Sequence, residues 1–177
     1  VVLEGRDITF LQEHKRSAFI GRLFQDPLMG TAPHMSIEEN LSVSYIRASG
    51  LSLFSRAGKK EKAYFREQLS LLDMGLEDRM NHPVGLLSGG QRQALTLLMA
   101  TMVTPKILDE HTAALDPGTA EKVLNLTKSI VAEREITCLM ITHNMHQALE
   151  LGNRTLMMDS GKIVLDLSGE EREHLTV

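Results

Sequence analysis

Five short stretches of the chain carry residues whose types and spacing could do chemistry. The first is LLSGGQRQALTLLMATMV, residues 86–103, where Ser88, Gly89, Gly90 and Gln91 stand at the mouth of a helix-like run. Two glycines there leave backbone N–H groups uncovered, and a helix N-terminus with free N–H groups suits phosphate. A glycine turn with a serine cap would use the same letters. The second is Ile107-Leu108-Asp109-Glu110, two carboxylates closing a short apolar run. One carboxylate could hold Mg²⁺ through water, and its neighbour could orient or deprotonate an attacking water. A plain acidic turn at a strand end is the alternative. Asp116, in Ala113-Ala114-Leu115-Asp116, could be a helix cap. His143 follows the strand-like ITCLMIT directly, and Gln25 ends the strand-like AFIGRLF. Each of these has an ordinary structural use as well.

The elements that must position these residues follow from periodicity and punctuation. VVLE and then AFIGRLF (18–24) read as strands joined by a polar connection. Ser36 with Glu39 three residues on has the pattern of a capping box, so a helix is expected over SIEENLSVSYIRA. GLSLFSRAGKK reads as loop. EKAYFREQLSLLDMG reads as an amphipathic helix with Phe65, Leu69 and Leu72 on one face and Gly75 as its stop. The helix behind Ser88 is expected to close at Pro105. Asp116-Pro117 reads as an N-cap followed by proline at the first helical position. Val123, Leu124, Thr127, Ile130 and Val131 keep a helical period after it. ITCLMIT (136–142) reads as a strand covered on both faces. Asn144 is placed to cap MHQALEL, and RTLMMD, Ser160-Gly161 and KIVLDLS predict a terminal hairpin. Strands alternating with helices through the middle predict an α/β class with a mostly parallel sheet flanked by helices. A helix-rich insert begins near residue 36.

The totals bound the function. The 177 residues are 42% hydrophobic and 24% charged, enough for one ordinary domain with a buried core. The formal net charge is −4 and no basic block stands out, so nucleic acid is not the expected partner. One cysteine, Cys138, in an apolar setting is expected in the core and argues against a disulfide framework. The longest apolar runs fall short of the roughly 20 residues a membrane span needs. The ten methionines read as core filler.

The order of the five stretches is more informative than any one of them. Gln25, then LSGGQ, then an apolar run with Asp109-Glu110, then AALD, then His143 resembles the motif sequence of the ATP-binding cassette (ABC) transporter ATPases. The resemblance covers nearly the whole chain, and LSGGQ matches the family's signature letter for letter. It implies a P-loop NTPase fold with a helical subdomain at about 36–104, ending in the signature helix, and a returning α/β core at about 105–177. It implies ATP and Mg²⁺ as cofactors. By the resemblance Gln25 is the Q-loop glutamine that senses Mg²⁺ and the attacking water. Ser88, Gly89, Gly90 and Gln91 meet the γ-phosphate of ATP held by an opposite subunit. Asp109 lies near Mg²⁺, and Glu110 is the general base or water-positioning residue. Asp116 crosses the dimer interface, and His143 touches the γ-phosphate. Implied partners are a second ATPase subunit packed head to tail, an integral-membrane permease and a substrate-binding protein. The implied location is cytoplasmic, peripheral on the inner face of the cell membrane. LFQDPLMGTAPHMSIEENL and DEHTAALDP look most like separate ATPases of bacterial uptake systems, for a small organic solute such as an amino acid. The alternative is a non-transport cassette ATPase acting as a regulatory or binding module on the ribosome or in DNA repair. Those usually carry two cassettes or long inserts.

Two features depart from the family pattern. No G-x-x-x-x-G-K-[ST] string occurs in the 177 residues, and the upstream aromatic residue that stacks on adenine is missing too. Gly58-Lys59-Lys60 lacks the required spacing and reads as a chance string in a polar loop. The expectation is that the chain starts after a phosphate loop of on the order of 30 residues, with its strand and helix, and that these residues alone do not hydrolyse ATP. Second, only Ile107 and Leu108 separate Lys106 from Asp109, two fewer than the family's apolar strand carries. At the usual rise that would draw the carboxylates back by about 6.6 Å, a distance that placement-dependent catalysis does not tolerate.

Overall fold

The structure, a computed structural model, describes residues 1–17, 19–24, 26–49, 58–102, 107–111, 117–142, 144–169 and 172. They form two compact units, Val1–Met140 and Ile141–Val177.

In the first unit, β1 (Val2–Leu3) and β2 (Arg6–Asp7) pair antiparallel across Glu4-Gly5. Both turn residues have positive φ, 48° and 78°, the hand that suits a two-residue hairpin. The first strand therefore turns back at once on residues that the sequence assigned to a polar connection. A short helix, α1 (Glu13–Arg16), leads to β3 (Ile20–Arg22). β3 pairs parallel with β4 (Ile107–His111), with Arg22 opposite Asp109. β5 (Thr137–Ile141) completes a sheet of order β3-β4-β5. Between β4 and β5 runs α5 (Pro117–Glu133), which starts on proline as expected. Leu23, Leu97, Ala100, Ile130 and Ile136 form the core at this sheet, with Cys138 partly buried against it. The expectation that β5 is covered on both faces is corrected. Leu139 and Ile141 are 54% and 57% exposed, because successive side chains point to opposite faces and it is the Cys138 face that meets that core.

A second core lies between three helices: α2 (Ile37–Ser49), α3 (Lys59–Ser70) and α4 (Gly89–Thr101). Ile37 and Leu41 from α2, Phe65 and Leu69 from α3, and Leu95 and Leu98 from α4 are all buried together. Tyr45, Tyr64 and Phe65 pack edge to face and tilted, with centroids 5.7 to 6.2 Å apart. The capping box of α2 forms as expected: the Ser36 N–H and hydroxyl donate to the Glu39 carboxylate at 2.7 and 2.9 Å, and the Glu39 N–H donates to Ser36 Oγ at 3.2 Å. Most of GLSLFSRAGKK lies outside the described residues, but its end is corrected from loop to helix. Gly58 is the N-cap of α3, its N–H donating to the Glu61 carboxylate at 2.8 Å, so Lys59 and Lys60 are helical. α3 also stops before Gly75. Tight bonds from Leu72 N–H to Leu69 and from Asp73 N–H to Ser70 close it, and Asp73 takes a left-handed φ of 50°.

α4 is buried on almost every side, from Gln93 through Thr101 apart from Met99. It ends at Thr101, ahead of Pro105, which lies outside the described residues. A buried helix end must find partners for its last carbonyls. Here two other helices and the turn after α5 supply them. Ser44 of α2 donates to the Met99 carbonyl at 2.7 Å, Tyr64 of α3 to that of Met102 at 3.5 Å, and Arg134, just past α5, to that of Thr101. Arg134 also donates to Gln68 Oε1 of α3 at 3.0 Å. A cation at a helix C-terminus is favoured by the macrodipole as well.

In the second unit, Asn144 caps α6 (Met145–Glu150), accepting from the His146 and Gln147 N–H groups at 3.0 and 3.3 Å. β6 (Arg154–Asp159) and β7 (Lys162–Ser168) form the expected hairpin, turning at Ser160-Gly161 with φ of 49° and 76°. The Arg154 guanidinium grips Asp166 with two bonds of 2.8 and 2.6 Å. Its hydrogen bond holds the Asp166 carboxyl below the usual carboxylate range. The reading of the methionines as core filler is corrected in part. Met80 and Met102 are buried, but Met29, Met145, Met157 and Met158 are exposed, the last two because the hairpin is apolar on both faces.

Two outcomes follow for stability. Arg134→Ala removes a charged hydrogen-bond donor from partly buried carbonyl partners and should cost about 2 kcal/mol. Arg66→Ala breaks only the exposed Arg66–Asp78 pair at 3.2 Å and should cost less than about 1 kcal/mol. Urea titrations of both variants, read at constant slope, check the contrast. The Glu39 carboxylate is held below its ordinary value of 4.5, first by the Ser36 N–H and then by the Ser36 hydroxyl. Its folded pKa is depressed, so its contribution is present above that value and is lost as pH falls through the lowered one. Glu39→Gln, which can still accept at the cap, should flatten the acid limb of a pH-dependent melting series.

Candidate functional site

Ser88 is the N-cap of α4, with extended backbone at φ −63° and ψ 162°. Its Oγ accepts from the Gln91 N–H at 3.2 Å, and Gln91 Oε1 accepts from the Ser88 N–H at 3.2 Å. This reciprocal pair is a capping box, made with glutamine. Gln91 Nε2 reaches the Met74 carbonyl at 3.4 Å, so both ends of that amide are engaged. What the box leaves over is informative. The N–H groups of Gly89 and Gly90 have no acceptor among the described residues, and the Ser88 hydroxyl accepts without donating. Three donors thus stand at the partial positive end of α4, with Ser88 and Gly89 exposed and Gly90 buried. Such an arrangement can bind an anion with several oxygens, a phosphate above all.

The mouth is held in place by residues that sequence reasoning missed. Arg92, one turn into α4, sends Nη2 back to the carbonyls of Leu87, Gly85 and Val84 at 3.0, 3.2 and 3.5 Å. That anchors the stretch entering Ser88. Gly85 N–H donates to the Pro33 carbonyl at 2.8 Å, and a Cβ on Gly85 would lie 3.0 Å from that oxygen. Asn40, buried in α2, accepts from the Ala32 N–H at 2.8 Å and donates to the Ser36 and Ala32 carbonyls at 2.9 and 3.1 Å. The N–H groups of Ile37 and Glu38 donate to the carbonyls of His82 and Met80. The start of α2 and the approach to α4 are therefore one hydrogen-bonded body. The available signal was an asparagine among apolar positions of a predicted helix, and an arginine four residues after a predicted cap.

The other expected site residues divide. Gln25, Asp116 and His143 lie outside the described residues. Asp109 and Glu110 are described as positions in β4, without their side chains. β4 runs through His111, so the two carboxylates that close the apolar run are strand residues rather than the acidic turn of the alternative reading, with Asp109 in register with Arg22. Among the described residues no three His, Cys, Asp or Glu side chains cluster as metal ligands, and no helix is long and apolar enough to cross a membrane.

Comparison with known proteins adds to this geometry. The ABC transporter family model matches residues 1–113. The tyrosine transport ATP-binding protein of Clostridioides difficile (strain R20291) is 42% identical over 179 residues, taking in 100% of this chain and 71% of that protein. The methionine import ATP-binding protein MetN of Streptococcus agalactiae is 35% identical over 176 residues, taking in 95% of this chain and 46% of that protein. In three dimensions the chain is similar to a nucleotide-free ATP-binding cassette from an ABC transporter, with TM-score 0.75, 26% identity, and 97% and 70% of the two chains covered. It also shares its fold with an ATP-binding cassette solved as a dimer in a post-hydrolysis state with ADP and Pi, with TM-score 0.76, 24% identity, and 94% and 72% covered. These likenesses place the described α/β elements in the ATP-binding cassette fold.

The capping box separates two roles of Ser88. Ser88→Ala removes an N-cap and should cost about 1 kcal/mol. Ser88→Asp keeps a capping oxygen and should hold stability near that of the parent, because the N-terminal end of a helix favours a carboxylate. Denaturant midpoints of the two variants measured side by side check this order.

Proposed function

The chain belongs to the ABC transporter family as an ATPase subunit, and on that premise we propose that the protein powers uptake of an amino acid or similar small solute through a separate membrane permease. The observation that carries the proposal is the mouth of α4, where the N–H groups of Gly89 and Gly90 have no acceptor among the described residues and the exposed Ser88 hydroxyl accepts without donating. The transport names of the two relatives support an uptake role over a regulatory one. The chain spans 71% of the first relative's length and 46% of the second's, so the activity of the whole protein is part of the proposal.

In this reading two chains pack head to tail. The donors of Ser88, Gly89 and Gly90 hold the γ-phosphate of ATP bound to the partner, while Gln91 braces Ser88. Neutralising several phosphate oxygens with preorganised donors is the largest service a protein can render to phosphoryl transfer. Glu110 takes a proton from water as its oxygen attacks the γ-phosphorus and the bond to the β–γ bridging oxygen breaks, releasing ADP. Asp109 and Gln25 would hold Mg²⁺, which supplies charge neutralisation at the phosphates when bound. His143 contacts the γ-phosphate, and Asp116 crosses between the chains. Residues 36–104 act as the helical subdomain and 105–177 as the returning core. A substrate-binding protein would deliver the solute, and the ATPase would sit on the cytoplasmic face of the membrane.

The test uses the full-length protein with its permease in liposomes. Glu110→Gln should slow phosphate release about a hundredfold or more while ATP-bound dimers accumulate. Ser88→Asp should keep its fold but lose ATP-dependent dimerisation, since the new carboxylate repels the γ-phosphate. Unchanged turnover in Glu110→Gln removes that residue from its role, and unimpaired dimerisation of Ser88→Asp removes the helix mouth from the phosphate site.

A further inference from the structure

Helices α2, α3 and α4 open on the same bond. In each, the third helical residue offers a side-chain oxygen to the N–H of the cap. For α2 it is Glu39, accepting from Ser36 at 2.7 Å, and for α3 it is Glu61, accepting from Gly58 at 2.8 Å. For α4 it is Gln91, accepting from Ser88 at 3.2 Å. The difference is charge. A carboxylate at this position caps the helix and also meets the positive end of its dipole, so it stabilises in two ways. An amide makes the same bond and brings no charge. α2 has Glu38 in its first turn as well, whereas α4 has no acid in its first turn. The next residue goes further in the same direction. Arg92 is a cation one turn from the N-terminus of α4, where the dipole disfavours positive charge.

Arg92 is not neutralised there. No carboxylate among the described residues pairs with it. Its Nη2 donates to the carbonyls of Leu87, Gly85 and Val84, all uncharged acceptors, and its Nε is buried without a partner. The guanidinium lies close to the mouth. The Leu87 carbonyl that it holds at 3.0 Å belongs to the same peptide unit as the Ser88 N–H, so one peptide unit separates the charge from the cap. The side chain is partly buried, which limits screening by salt.

For the helix alone, the amide and the cation both forgo stability. Negative charge arriving from outside accounts for both. We propose that Gln91 and Arg92 set the charge of the α4 mouth: Gln91 closes the box without a carboxylate, and Arg92 is a positioning residue whose uncompensated charge draws a multiply charged phosphate onto the donors of Ser88, Gly89 and Gly90. The inference rests on the phosphate reading of that mouth. Attraction to a fixed charge grows with the charge of the ligand, so the mouth favours the fully ionised terminal phosphate of ATP.

The test is ATP-dependent dimerisation of the full-length protein with its permease in liposomes, titrated with ATP at several sodium chloride concentrations, beside a melting curve for each variant. Arg92→Gln should weaken the apparent ATP affinity about tenfold at low salt and flatten its dependence on salt. Arg92→Lys keeps the charge and a donor for the Leu87 carbonyl, and should keep the salt slope and hold the affinity within about threefold of the parent. Gln91→Glu keeps the capping bond and adds the missing carboxylate. It should melt at or above the parent's temperature and still lose about tenfold in ATP affinity. A bracing role alone would not separate stability from affinity in that way. Gln91→Glu that binds ATP as the parent does, Arg92→Gln that keeps the parent's salt slope, or Arg92→Lys that behaves like Arg92→Gln overturns the inference. If Arg92→Gln does not fold, Arg92→Lys and Gln91→Glu carry the comparison. Ser88→Asp reports on the phosphate reading itself. Unimpaired dimerisation of that variant removes the mouth from the site, whereas its loss beside unaffected Gln91→Glu and Arg92→Gln removes the charge inference alone.

Discussion

The satisfaction of polar groups at the two ends of α4 is the constraint on which the rest of the first unit depends. A helix buried on nearly all sides cannot leave its terminal carbonyls to water. Ser44, Tyr64 and Arg134 answer that need at the rear, from three other elements. At the front only the Ser88–Gln91 box is supplied, and the two glycine N–H groups are left open. The asymmetry is chemically directed. An element fixed at one end and unsatisfied at the other presents its donors at a defined place, at no cost of reorganisation when an anion arrives.

α4 also separates the two cores of the unit. Leu95 and Leu98 face α2 and α3, and Leu97 and Ala100 face β3 and α5. The helix therefore contributes buried residues to both the helical cluster and the sheet cluster, and Leu126 of α5 packs against both as well. Thr96 on it packs closely on Gly30, where a Cβ would lie 2.6 Å from its Cγ2. The salt bridges at the surface contribute little by comparison, since pairs such as Arg66–Asp78 remain solvated on both sides.

Much of this was legible in the residues, and the division between what was and was not follows distance along the chain. The capping boxes at Ser36 and Ser88, the Asn144 cap, the Pro117 start and the Ser160-Gly161 turn are interactions within four residues, so their letters carry them. The end of α3 was misjudged because its closure depends on tight carbonyl bonds at Leu69 and Ser70, which Gly75 does not influence. β5 was misjudged because an apolar run reports what a strand tolerates, and Leu139 and Ile141 are tolerated in the open. The apolar letters stop before Asp109 and Glu110, whereas the strand itself runs on to His111.

By itself, the sequence determined the starts of α2, α4, α5 and α6, the terminal hairpin, the α/β alternation and the order of motifs that resembles the ABC ATPases. Each is set by local backbone preference, side chain to backbone bonds, or simple succession. Only the tertiary structure decided how α4 is held, which of its neighbours touches it most closely, and which face of β5 is bare. The bonds to its rear carbonyls join residues 33, 38 and 55 positions apart. Close packing between such distant residues depends on the shape of the whole core, and no window along the chain contains that shape.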